Sequence, residues 1–80
     1  MINRYTAGFT AVCPNNDHDI RYALTIATTK AIQAEKIARE VKRFKRGYHE
    51  EIADELHAAL GGTQKLVAVH GDVTIETVRP

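Results

Sequence analysis

Cys13 is the only cysteine among 80 residues, and it sits in a run of chemistry-bearing types: Phe9-Thr10-Ala11-Val12-Cys13-Pro14-Asn15-Asn16-Asp17-His18-Asp19. A thiol becomes a nucleophile once its proton is taken, and a carboxylate or imidazole within hydrogen-bond reach can take it. Further along, Tyr48-His49-Glu50-Glu51 puts an imidazole beside two carboxylates. A thiol, an acid and a His-Glu pair are parts of a covalent enzyme site if the fold brings them together. Each part also has an ordinary reading. A free cysteine at a strand end is most often a small buried hydrophobe. Asp and Asn in a turn bond their own backbone. Acids at the start of a helix complement its dipole, and Glu51 and Asp54 do so as well as Glu50. The remaining histidines, His18, His57 and His70, form no pair at the i, i+4 spacing of a helical zinc site, so no metal site is expected within one subunit.

The elements that must position these residues follow from apolar periodicity. Residues 5–13 alternate as a strand, with Tyr5, Ala7, Phe9, Ala11 and Cys13 on one face. Pro14 and the Asn-Asn-Asp tract end it. Residues 20–28 alternate again, with Tyr22, Leu24 and Ile26 on one face, and the short turn between the two runs predicts an antiparallel hairpin. The period then lengthens: Ile37, Val41 and Phe44 predict a helix over about 33–45, broken at Gly47. Ile52, Leu56, Ala59 and Leu60 predict a second helix over 49–60, stopped by Gly61-Gly62. Leu66, Ala68 and His70 alternate with Val67 and Val69, and Gly71-Asp72 reads as a two-residue type II′ turn into Val73, Ile75 and Thr77. The expected fold is α+β in the order β-β-α-α-β-β. It has a four-stranded antiparallel sheet with two helices on one face.

Composition bounds the rest. Residues 1–80 read as a single domain, and a chain this short buries only about 60% of its unfolded surface. One cysteine allows no internal disulfide, so self-association is the expected source of further burial. The lone thiol and the absence of a signal-peptide pattern or a long apolar run point to the cytoplasm and away from a membrane. A net charge of +1 supplies no global pull toward nucleic acid. The basic stretch from Lys36 to Arg46 offers charge to the phosphates of a nucleotide or tRNA, but ion pairs such as Glu35 with Arg39 on a solvated helix face are its ordinary explanation.

The element order is that of the tunnelling fold. Within it, the residues resemble the QueF nitrile reductases of queuosine biosynthesis and the related QueF-like amidinotransferases. Those proteins carry Phe-x-x-x-Cys-Pro and then a polar turn ending in Asp, matched here by Phe9, Cys13-Pro14 and Asp19, with Asp17 competing for the last place. Their first helix opens on Val-Glu, matched by Ala34-Glu35, and their second on Phe-His-Glu, matched by Tyr48-His49-Glu50. The similarity runs in order over about residues 9–78. The resemblance implies Cys13 as nucleophile, Asp19 as the proton-transferring acid and His49 as an assisting residue. It also implies Glu50 and Glu35 as carboxylates that grip the N–H edge of a 7-deazaguanine, purine or pterin. Addition of the thiolate to a nitrile would give a thioimide, resolved by NADPH in a reduction or by ammonia in amidine formation. Glu35-Lys36-Ile37-Ala38 stands where the family has Glu-Ser-Lys-Ser, and the family's late Arg-Gly-Gly has no match beyond Gly71, which favours the ammonia route. A ring-shaped homo-oligomer with sites at subunit junctions is the implied assembly, and tRNA modification the implied context. The competing expectation, of a different class, is a non-catalytic binding or inhibitor module acting through protein contacts.

Overall fold

A computed structural model describes residues 1–80. In chain order its elements are β1 (Asn3–Val12), β2 (Asp19–Thr28), α1 (Ala34–Lys42), α2 (His49–Leu60), β3 (Thr63–His70) and β4 (Val73–Arg79). The four strands form one sheet in the order β1-β2-β3-β4, every neighbour antiparallel. The predicted order and architecture hold.

Register sets which side chains share a face. Phe9 lies opposite Tyr22, Tyr22 opposite Ala68, and Ala68 opposite Ile75. Side chains alternate along each strand, so this register puts the apolar series of all four strands on one side. Ile37 and Val41 of α1 and Ile52, Ala53, Leu56 and Leu60 of α2 close over that side to make one core. The other side carries Arg4, Thr6, Thr10, Arg21, Ala23, Lys65, Thr74 and Glu76, all exposed.

The second helix occupies the residues predicted for it. Gly61 ends it at φ 69°, ψ −165°, a conformation essentially confined to glycine. Gly62 has φ 73°, and a Cβ there would stand 2.9 Å from the Ala27 carbonyl oxygen. The first helix is shorter than its periodicity predicts, ending at Lys42 rather than 45. The last turn tightens, with Arg43 and Phe44 N–H donating to the Glu40 and Val41 carbonyls. The chain is then captured by the end of β1. Val12 N–H donates to the Lys45 carbonyl at 2.8 Å, and Gly47 N–H donates to the Val12 carbonyl at 3.2 Å. Phe44 stays in the core without being helical, its ring 6.2 Å from that of Phe9.

Gln64 is, with His49, one of two buried polar residues, only 3% exposed. Its Nε2 donates to the Leu56 carbonyl at 3.1 Å and the Gly61 carbonyl at 2.8 Å. It thereby ties β3 to the last turn of α2 and to the glycine that follows it. Tyr5 Oη accepts the Ile32 N–H at 3.0 Å, which fixes the approach to α1. The β3–β4 turn is the predicted two-residue one, with His70 opposite Val73 and Gly71 at φ 60°. No helix is long and apolar enough to cross a membrane.

Candidate active site

Cys13 follows β1 directly, on the core-facing series with Phe9 and Ala11, and is 7% exposed. Its backbone is held on both sides. Cys13 N–H donates to the His18 carbonyl and its own carbonyl accepts the Asp17 N–H, both at 2.9 Å. The turn between them is stabilised by Asn16 Oδ1, which accepts the His18 N–H, and by Asp17 in the left-handed region at φ 59°, a conformation Asp tolerates.

His49 is the first residue of α2, following Tyr48 in extended conformation. The helix start drops His49 onto the sheet while Glu50 and Glu51 remain exposed. The His49 ring is 8% exposed and lies 5.6 Å from the Tyr22 ring, which itself stacks on Phe9 at 4.9 Å. Tyr48 Oη donates to Asn15 Oδ1 at 3.2 Å, and Arg46 pairs with Asp17 at 2.7 Å. Both contacts tie the turn after β1 to the segment before α2.

These elements border a half-open cavity of about 480 Å³ lined by Cys13, Asn15, Asn16, Gly47, Tyr48, His49, Glu50, Glu51, His70 and Ile75. The volume lies within the range of about 300–1,000 Å³ of pockets that bury small ligands. Cys13 and the adjacent His49 and Glu50, far from it in sequence, border the same space.

Asp19, Asp17 and Glu35 do not border it in a single subunit. Asp19 opens β2 opposite Val12, on the alternate series from Ile20 and Tyr22, so its side chain belongs to the uncovered face of the sheet. Asp17 is engaged by Arg46. Glu35 is in the first turn of α1, whose neighbours Ala34, Ile37 and Ala38 border the Arg4–Ala7 half of β1. Cys13 is at the other end of that strand, roughly 25 Å away at 3.3 Å per residue.

Sequence reasoning missed His70 and the two asparagines as residues bordering the cavity. His70 carried a signal. It falls on the buried series with Leu66 and Ala68, a polar type at a core-facing position just before the turn.

The electrostatics of the site are set by burial. Desolvation lowers the pKa of His49 from its ordinary 6.5, and the neighbouring His70 lowers it further. Glu50 opposes this, Arg79 adds to it, and a Leu66 backbone group favours the proton without making a hydrogen bond of good geometry. His49 is thus a neutral imidazole at neutral pH. Burial, reinforced by Cys13, raises the Tyr22 hydroxyl, which stays protonated. Both His49 nitrogens and His70 Nε2 are buried with no hydrogen-bond partner. No group of side chains has the geometry to hold a metal ion. The cavity wall has no Lys or Arg and no glycine-rich turn, so the residues of one subunit do not fit the pyrophosphate of a nicotinamide dinucleotide.

The structure is similar to the crystal structure of the archaeosine synthase QueF-Like in the apo form, with a TM-score of 0.77 and 19% identity over 98% of this chain and 90% of that one. The chain has a QueF-like fold. No family model and no curated protein sequence matches it. The QueF-like fold agrees with the resemblance read from Cys13-Pro14 and His49-Glu50.

Proposed function

We propose that this QueF-like chain binds a 7-deazaguanine or related purine or pterin in the cavity and attacks a nitrile on it through Cys13. The observation that carries the reading is the convergence of Cys13, His49 and Glu50 on one cavity under a QueF-like fold. Glu50 accepts hydrogen bonds from an N–H edge, as a carboxylate does in bidentate pairing. The Cys13 sulfur adds to the nitrile carbon. A carbon–sulfur bond forms, one carbon–nitrogen π bond opens, and the thiol proton ends on the nitrile nitrogen, giving a thioimide. Ammonia then adds to the same carbon and the thiolate leaves, so an amidine forms and the cysteine is regenerated. The solved structure of similar fold is that of an archaeosine synthase, which supports amidine formation as the reaction and tRNA modification as the setting. Addition of ammonia and expulsion of the thiolate transfer no hydride and so need no dinucleotide, in keeping with the cavity wall.

The assembly belongs to the same reading. Glu35 is too far along β1 to reach Cys13 of its own chain, so its substrate-binding role requires a second copy to bring α1 to the cavity. A cytoplasmic homo-oligomer joined through the outer edges of β1 and β4, with sites at its junctions, accommodates this.

Incubation with 7-cyano-7-deazaguanine tests the chemistry. Intact mass should show a covalent adduct that Cys13→Ala lacks. No adduct at millimolar ligand and neutral pH would remove the nitrile reading in favour of a non-catalytic binding module.

A further inference from the structure

His70 ends β3, and Cys13 lies just past the end of β1, with β2 between them. Two inter-strand spacings put their backbones roughly 10 Å apart across the sheet. They therefore form opposite walls of one cavity, with the first turn of α2 above. Cys13 shares its wall with Asn15 and Asn16, and His70 shares its wall with Ile75. His70 Nε2 is buried and has no partner in the protein. A buried polar atom left unpaired costs stability, so in a folded protein it calls for a partner from outside the chain or a functional reason. His70 borders the cavity with Nε2 turned away from the open space, and a half-turn about χ2 carries Nε2 to the position that Cε1 holds.

We propose that His70 is a specificity-determining residue that hydrogen-bonds the ring edge of a flat bicyclic heterocycle whose opposite side faces Cys13. The class of ligand rests on the function proposed above; the role of His70 does not follow from it. A planar ring fills the gap between the two walls. Glu50 takes one polar edge from the helix side, and His70 takes another from β3, so the ring is fixed in its plane. Ile75 supplies the apolar contact beside it. Fixing the ring in this way holds the substituent nearest Cys13 in one orientation, which is what an addition to that substituent requires.

The test compares wild type, His70→Phe and His70→Gln. Phenylalanine keeps a flat ring and removes the polar atoms; glutamine keeps a hydrogen-bonding group. Binding of 7-cyano-7-deazaguanine is measured calorimetrically in a Cys13→Ala background, and the thermal midpoint of each variant is measured without ligand. His70→Phe should weaken binding by about tenfold to a hundredfold, the loss of one ligand hydrogen bond, and His70→Gln should recover most of it. His70→Phe should melt no lower than its parent, because Nε2 has no partner in the protein to lose. Equal affinity in His70→Phe, or a loss of affinity tracking a lower melting point that glutamine does not rescue, would overturn the role of His70 while leaving the proposed function standing. Absence of binding to the parent would overturn both. Binding without adduct formation in the Cys13-bearing protein would overturn the covalent chemistry alone.

Discussion

The ring of His49 lies 5.6 Å from the ring of Tyr22, tilted by 37°, and neither of its nitrogens has a hydrogen-bond partner. An imidazole held in this way is poorly suited to stability. Its desolvated nitrogens cost free energy that an apolar ring of similar shape would not. His49→Phe should therefore raise the thermal midpoint, by about 4–8 °C if the gain is about 1 kcal/mol in a domain of this size. It should also weaken or abolish ligand binding. Thermal unfolding checks the first statement. A midpoint lower than wild type would show that the nitrogens have partners in solution.

The same residue gives the protein a pH dependence of known sign. Burial and His70 hold the folded-state pKa of His49 below the 6.5 of the unfolded chain. Between the two values the unfolded chain binds more protons, so stability rises with pH in that window. The contribution is complete above about pH 6.5 and is lost as the pH falls from there toward the folded-state value. Melting temperatures of wild type should drop between pH 7.5 and pH 5.5 by more than those of His49→Leu. Equal drops in both proteins would assign the acid sensitivity to other groups.

Gln64 ties two elements together through a single side chain. Its Nε2 bonds two carbonyls at the end of α2 from a core position of β3. Gln64→Leu keeps the volume and removes both bonds, leaving the Leu56 and Gly61 carbonyls without that donor. The expected loss is about 1–3 kcal/mol, read as a lower denaturant midpoint with an unchanged slope. A leucine that stabilises would mean that the unpaired, buried Oε1 of Gln64 costs more than the two Nε2 bonds contribute.

Association is the fourth prediction. The sheet face opposite the helices is covered by no other element, and β1 and β4 are the outer strands, β1 being bridged only at Val12. Long unpaired edges favour pairing with another chain. Light scattering at micromolar concentration should give a mass several times that of one chain, and adduct formation should fall on dilution. A strict monomer that still forms the Cys13 adduct would place the whole site in one subunit and remove Glu35 from it.

Local signals were fully legible. The apolar stripe from Ile52 to Leu60 and the glycines after it marked α2 to its observed limits. Gly71-Asp72 marked the last turn. Both depend only on neighbours in the chain: a helix face repeats every few residues, and a positive φ demands a particular residue type. The end of α1 was not legible, because Phe44 continues the helical period while Val12, far away in sequence, holds the Lys45 carbonyl. Asp19 looked as available as Asp17. Its place on the far face follows from pairing with Val12, which inserts the turn between them with a definite register.

The amino-acid sequence by itself therefore determined the order of elements, the side of each strand that is buried and the presence of a thiol, an imidazole and carboxylates with covalent potential. It did so because side-chain alternation and helical period are short-range properties. Only the tertiary structure decided which of those groups share a cavity. Cys13 with His49, Glu50 and His70 is a consequence of sheet register and of where α2 lands on the sheet. Both are fixed by the summed packing of Phe9, Tyr22, Leu66, Ala68, Ile52 and Leu56, residues that touch across the fold and carry no trace of one another in the chain.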